Sequence, residues 1–193
     1  MHIKKPWEYN PKLKQEYLLT IALKLQDIYQ TAYDELKEDS AYSKGTVSFD
    51  RAYNFLKDLG NLKNYSWFHV AKTSMDIVFK IEGVPFRFFS TSNYEKPKAK
   101  VFIRDPLESL FPDEDMEPCQ WRFLIRKPLI EIETFDVAVV GYDANQVLRA
   151  KWSLAEYNGI NTDFDEDINI DLESIEIPEA EISKRDKGVR KNG

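Results

Sequence analysis

Apolar residues recur at steps of three and four along the first part of the chain, which is the spacing of one face of an α-helix. The first stripe spans residues 12–38 and contains Leu13, Tyr17, Ile21, Leu25, Ile28, Ala32 and Leu36. A second, shorter stripe follows Ser48, a residue type suited to cap a helix start, and we expect Gly60 to end that helix in a left-handed conformation. The pattern therefore predicts two N-terminal helices.

From Tyr65 onward the apolar pattern changes toward a period of two, and β-branched and aromatic residues favour strands. The predicted strands are residues 65–71, 75–81, 86–90, 100–104, 121–126, 130–135, 137–142 and 147–154. We expect a turn at 82–85 and a hairpin across 143–146. Because sequential strands joined by short turns pair antiparallel, the sequence predicts an α+β fold. Two N-terminal helices would pack on one face of a mostly antiparallel sheet of about six to eight strands.

Length and charge distribution predict one domain and a tail. A chain of 193 residues can build one well-packed core, which we assign to residues 1–154. Residues 155–181 hold ten Asp or Glu and no Lys or Arg, and a basic end follows at 184–191. Such charge blocks tend to stay solvated, so we expect 155–193 to form an acidic and then basic, partly disordered tail. Apolar residues of the tail alternate partly with charges, which favours docking of one segment as an edge strand; they are Ile168, Ile170, Leu172, Ile175 and Ile177.

A stretch between the predicted strands, residues 105–118, combines three prolines with six acidic residues and predicts an exposed loop or lid. The formal net charge of −6 and the pI of about 5.1 argue against a protein that coats nucleic acid along its whole surface. The single cysteine excludes an intramolecular disulfide. The N-terminus resembles no signal peptide and no run is long enough to span a membrane, so we expect a cytoplasmic protein without membrane contact.

Candidate catalytic groups are few. His69 is a general-base candidate with Asp76 to orient it, and Cys119 with His69 is a candidate thiol pair. Asp76, Glu131 and Glu133 are the acids that a metal-dependent nuclease would use. Ordinary structural roles are the favoured explanation of these residues, and the low glycine content sets aside phosphate-binding loops. We therefore predict no catalytic residue, no metal and no cofactor.

Basic residues interleave with aromatic residues from Val84 onward, and such sheets hold single-stranded nucleic acid in some proteins. The candidate binding residues are Arg87, Lys98, Lys100, Arg104, Arg122 and Arg126. A solvated, salt-bridged outer sheet face is the simpler explanation of the same pattern. If these residues bind nucleic acid, they must cluster on one exposed face of the sheet.

The acidic tail is the second candidate binding element. Its candidate residues are Asp163, Asp165, Glu166, Asp167, Asp171 and Glu173. Spaced carboxylates can occupy a groove built from Lys and Arg, or can mask the basic residues of the same chain. The sequence predicts a non-enzymatic protein-binding protein whose partner has a basic surface. An inhibitor of a nucleic-acid-handling enzyme, of the kind carried by phages or mobile elements, fits this description. The alternative is a nucleic-acid-binding module or metal-dependent nuclease.

Overall fold

The computed structural model describes residues 3–62, 64–74, 76–94, 97–106, 118, 120–127 and 134–160. In these residues the helices are α1 (Pro6–Tyr9), α2 (Gln15–Glu35), α3 (Ala41–Asn61) and α4 (Leu154–Ile160). The strands are β1 (Phe68–Lys72), β2 (Val78–Ile81), β3 (Val84–Thr91), β4 (Gln120–Arg126), β5 (Asp136–Tyr142) and β6 (Leu148–Ser153). The predicted α+β class is confirmed. The predicted acidic tail and the predicted strand at 130–135 lie largely outside the described residues.

Helix α3 begins seven residues before the predicted start at Ser48. Ser40 precedes the helix in an extended conformation, and its side chain accepts a hydrogen bond from the backbone N–H of Ser43. This cap stabilises a polar first half that carries no apolar stripe. Gly60 does not end the helix, because it lies inside α3, where a Cβ would come within 2.6 Å of Val70 Cγ2. The glycine allows close packing of α3 on β1.

The six strands form one mixed sheet in the order β1-β2-β3-β4-β5-β6. Four of its pairings are antiparallel, as predicted, but β3 and β4 run parallel, with Phe86 opposite Trp121 and Thr91 opposite Arg126. A parallel pair cannot be joined by a tight turn and needs a long crossover connection. Residues 92–119 provide that connection.

The sheet is buried on both faces at its centre. One face packs against the helices through residues such as Phe123 and Val139, which belong to the large core with Leu25 of α2. The opposite face, here called the second face, holds a smaller cluster of Phe89, Tyr94, Val101, Leu124, Ala138, Val140 and Tyr142. We expected polar, solvated positions there. The second face is instead covered by the crossover, so β5 is buried along its whole length.

The described part of the crossover covers the second face with irregular backbone rather than with a strand. The predicted strand at 100–104 is wrong, since Ala99–Phe102 forms a single 3₁₀ turn whose Val101 is fully buried. Asp105, predicted to begin an exposed loop, is 6% exposed and pairs with Lys72. Residues 107–117 and 119 lie outside the described residues.

Two arginines lie inside the second face. Arg122 is fully buried, and its Nε donates to the carbonyl of Val101 at 2.9 Å. Arg87 is 4% exposed, and its Nη1 donates to the carbonyl of Ile103 at 2.6 Å. A buried guanidinium is tolerated when hydrogen-bond acceptors replace water. These arginines therefore fasten the crossover to the sheet, which corrects the prediction that they lie on an exposed face.

Two hairpins have geometries that their turn residues explain. Glu82 and Gly83 both have positive φ, as a two-residue turn with the correct twist requires, and they join β2 to β3. The predicted hairpin between β5 and β6 is confirmed. There Asp143 Oδ1 accepts from the backbone N–H of Asn145 and Val147, and its Oδ2 accepts from Arg149 Nε at 2.7 Å. In the described part of the chain, no helix combines the length and apolar character needed to cross a membrane.

We predict that Arg122→Met lowers the free energy of unfolding by about 1–3 kcal/mol, because the Val101 carbonyl loses its donor inside an apolar cluster. Urea denaturation would measure the change. Arg51→Met is the matched control, since the exposed ion pair of Arg51 with Glu35 should contribute less than about 1 kcal/mol. Equal losses for the two variants would contradict a fastening role for Arg122.

Stability should also depend on the charge of Asp143. Burial alone would raise the pKa of Asp143, but the backbone donors of Val147 and Asn145 and the Arg149 guanidinium outweigh it and hold the pKa below its usual value. A lowered folded pKa stabilises the protein above the unfolded value of about 3.9, and this stabilisation is lost as the pH falls through the folded pKa.

We therefore predict that Asp143→Asn costs about 1–3 kcal/mol at neutral pH and progressively less in acid. Urea denaturation of both proteins at a series of pH values measures the difference. A difference that stays constant down to strongly acidic pH would contradict this origin.

Candidate functional site

A cleft of about 770 Å³ opens where α3, β3 and the crossover meet. Its volume is in the range of ordinary ligand sites. The lining residues are Tyr29, Ala41, Tyr42, Gly45, Thr46, Phe49, Asp76, Ile77, Arg87, Phe88, Phe89, Ser90, Lys98, Lys100 and Ile103. The cleft is therefore built from segments distant in sequence.

The floor of the cleft contains an edge of β3 with which no strand of the described residues pairs, here called the open edge. Strand β2 pairs with β3 only from Val84 to Phe86, whereas β3 continues to Thr91. Beyond Phe86 no described strand pairs with this side of β3. The main-chain N–H and C=O groups of every second residue in a strand point to the same neighbouring strand. Val84 and Phe86 face β2, so the N–H and C=O groups of Phe88 and Ser90 also point to the β2 side of β3. These groups lie on the side where another extended segment could pair.

Apolar side chains form one wall. Phe49 of α3 stacks on Phe88 with ring centroids 5.0 Å apart, yet remains 38% exposed. Tyr42 lies two helical turns before Phe49 on the same face of α3 and is 84% exposed, and Ile103 of the crossover is 62% exposed. Exposed aromatic residues around a cleft are typical of binding surfaces.

The cleft is locally cationic in an acidic protein. Among the described residues, its charged lining groups are Arg87, Lys98 and Lys100, opposed by the single carboxylate of Asp76. Asp76 Oδ1 lies 3.2 Å from Arg87 Nη2. The first residues of α3 also line the cleft, and the partial positive charge of a helix N-terminus favours anions. The arrangement suits a ligand with carboxylate or other anionic groups.

The six basic residues predicted to bind do not form one surface. Arg87, Lys98 and Lys100 line the cleft, although the guanidinium of Arg87 is almost wholly buried. Arg122 is buried inside the second face. Arg104 and Arg126 do not line the cleft. The exposed basic sheet face expected for nucleic acid is therefore absent from the described residues.

Arg126 belongs to a separate polar cluster at the end of the sheet. Asp136 accepts hydrogen bonds from the Tyr94 hydroxyl at 3.0 Å and from the Ala155 backbone N–H at 3.0 Å, and lies 3.6 Å from Arg126. Burial first, and then the Asp136 carboxylate, raise the pKa of Tyr94. Tyr94 is therefore a fixed hydrogen-bond donor. The cluster joins the start of α4 to the ends of β4 and β5.

The catalytic candidates are not assembled in the described residues. His69 is exposed and lies opposite Lys80 in the sheet register, whereas Asp76 pairs with Arg87. Cys119 of the thiol hypothesis lies outside the described residues, as do Glu131 and Glu133 of the nuclease hypothesis. Within residues that the structure describes, no group of three or more His, Cys, Asp or Glu side chains could hold a metal ion.

No family model, curated protein or solved structure matches the chain. Its function must be argued from its own residues.

Sequence reasoning missed the helical wall of the cleft. The apolar stripe that follows Ser48 includes Phe49 but does not indicate a cleft, and Tyr42 precedes the predicted helix. Neither the open edge of β3 nor the position of the crossover can be read from local periodicity. Ser40, followed three residues later by another polar residue, was an available signal for the earlier helix start.

Stability measurements should separate the two aromatic residues of the wall. We predict that Phe49→Ala destabilises the fold by about 0.5–1.5 kcal/mol or more through loss of its stacking on Phe88. Tyr42→Ala should change stability by less than about 0.5 kcal/mol because the ring is exposed. Thermal and urea unfolding measure both. A large loss for Tyr42→Ala would show that the ring is part of the core rather than free to bind.

Proposed function

We propose that this chain is a non-enzymatic protein-binding protein whose cleft holds an extended, acidic segment of a polypeptide by strand addition to β3. The observation that carries the proposal is the open edge at Phe88 and Ser90 inside a cleft of suitable size. Main-chain hydrogen bonds to such an edge supply affinity for any extended peptide. Side-chain contacts then decide which peptide binds.

The side chains of the cleft favour one peptide chemistry. Lys98 and Lys100 select acidic residues, while Phe49 and Tyr42 offer contact to apolar ones. Successive residues of a strand point to opposite sides, so a peptide that alternates acidic and apolar residues places each kind on its own wall. An alternating acidic and apolar segment is therefore the proposed ligand class.

A second proposal rests on the acidic residues of 163–173, which lie outside the described residues. Six carboxylates within eleven positions favour a partner with a basic surface, such as a nucleic-acid-handling enzyme that this chain would inhibit. A complex of this kind should weaken as the salt concentration rises. Loss of partner inhibition on neutralising these six residues would support this second proposal, and unchanged inhibition would refute it.

The cleft proposal predicts selective binding of a synthetic peptide that alternates Glu and Val. Backbone amide signals of Phe88 and Ser90 in a ¹⁵N NMR titration should shift with this probe. They should not shift with a Lys and Val peptide or with a version carrying proline at its centre, which cannot pair as a strand. Binding of all three peptides with equal affinity would refute strand addition.

Neutralising a lysine of the cleft and neutralising its carboxylate should change the affinity for the Glu and Val peptide in opposite directions. Lys98→Gln or Lys100→Gln should weaken binding by about two- to fivefold each, since partly exposed ion pairs contribute up to about 1 kcal/mol. Asp76→Asn should strengthen binding, because it removes the carboxylate that the described residues contribute to the lining. Isothermal calorimetry measures both changes, and changes of the same sign would contradict the charge argument.

A further inference from the structure

We infer that the cleft of each molecule is occupied by residues 163–177 of the same chain, here called the acidic segment. The inference rests on the proposed function and names an internal competitor for the proposed ligand. Its sequence is Asp-Phe-Asp-Glu-Asp-Ile-Asn-Ile-Asp-Leu-Glu-Ser-Ile-Glu-Ile. Partner binding then requires displacement of this segment.

The pattern of the acidic segment matches the chemistry of the cleft. Ile168, Ile170 and Leu172 alternate with Asn169, Asp171 and Glu173. This period of two places the apolar side chains on one side of an extended chain and the polar ones on the other. The apolar side chains can contact the aromatic wall formed by Phe49 and Tyr42, and the acidic side chains can pair with the lysines of the cleft.

The chain is long enough to reach the cleft. The last described helix, α4, begins beside Asp136, because the N–H of Ala155 donates to Asp136 Oδ1. Asp136 lies opposite Arg126 in β4, and Arg126 lies opposite Thr91 at the end of β3. The start of α4 and the open part of β3 thus lie at the same end of the sheet, separated by strands β4 and β5.

Neighbouring strands are about 4.8 Å apart, so the separation across the sheet is on the order of 15 Å. The eight residues that lead from Ile160 to Ile168 can span about 26–29 Å when extended. Ile160 lies five helical residues, or about 8 Å, beyond Ala155, and the extended connection is longer than this distance and the separation across the sheet together.

Charge complementarity favours the acidic segment over other parts of the chain. The exposed cations of the cleft, Lys98 and Lys100, complement a segment with no Lys or Arg. Residues 107–117 are also acidic, but Pro112 and the flanking Pro106 and Pro118 interrupt any strand that they could add. The basic end at 184–191 has the wrong charge. The acidic segment is the part of the chain that combines charge and alternation.

The contact can be tested in the full chain with a photo-reactive benzoylphenylalanine in place of Tyr42. Its ring is 84% exposed, so the substitution should leave the fold intact. Leu62, 46% exposed at the other end of the same helix, is the matched control position about 30 Å away. Irradiation of a mixture of ¹⁴N and ¹⁵N chains, followed by mass spectrometry of the peptides, identifies the cross-linked residues and the chain that supplied them.

We expect position 42 to cross-link to residues 163–177 of the same isotopic chain. Position 62 should give no cross-link to these residues. Cross-links to 163–177 that join ¹⁴N and ¹⁵N chains would overturn occupancy by the same chain. Cross-links to 107–117, equal cross-linking from both positions, or no cross-link at all would also overturn it.

Competition separates this inference from the proposed function. Replacing Asp163, Asp165, Glu166, Asp167, Asp171 and Glu173 by Asn or Gln should increase the affinity of the full chain for the Glu and Val peptide by about tenfold, because a tethered competitor acts at an effective concentration near millimolar. Neutralising the basic residues of 184–191 is the control and should not increase it.

Equal peptide affinity before and after neutralisation of the six acids would overturn occupancy by the acidic segment while leaving the cleft as a peptide site. If neither the original chain nor the neutralised variant binds the peptide, both the proposed function and the inference are refuted.

Discussion

The parallel pairing of β3 with β4 is the constraint on which the rest of the structure depends. Antiparallel neighbours need only a turn, whereas this pair requires the chain to return across the sheet before β4 can begin. The return path covers the second face and excludes water from Phe89, Leu124 and Val140. Backbone carbonyls of an irregular segment then need donors in a place without solvent. The guanidinium groups of Arg87 and Arg122 provide them.

The cleft follows from the same constraint. Strand β2 ends its pairing at Phe86 of β3, and the crossover passes close to the part of β3 that is left open. It brings Lys98, Lys100 and Ile103 to that edge. Arg87 of β3 holds the crossover beside this edge, because its guanidinium contacts both the Ile103 carbonyl and the Asp76 carboxylate. Weakening the anchor should therefore alter the shape of the site as well as stability.

The local pattern of apolar and polar residues was sufficient to predict the fold class but not the cleft. The stripe that contains Ile21 and Leu25 predicts α2 because helix periodicity is a local property. Alternation correctly places the side chain of Arg87 on the sheet face that Phe86 and Phe88 do not share. It cannot reveal that the crossover, which is distant in sequence, covers that face. The apolar run from Val137 to Val140 did carry a signal, since a strand without alternation is typical of a sheet buried on both faces. Parallel pairing has no comparable local signature.

Occupancy of the cleft by the acidic segment would change what a partner must provide. The segment competes at an effective concentration near millimolar, so a partner peptide that offers only the same charges gains little over it. Salt weakens both contacts through the same two lysines, and therefore shifts their balance little. Apolar contacts to Phe49 and Tyr42 are not screened by ions. Selection of a partner over the acidic segment should then depend on the apolar side chains that reach the aromatic wall, while charge restricts which segments enter the cleft at all.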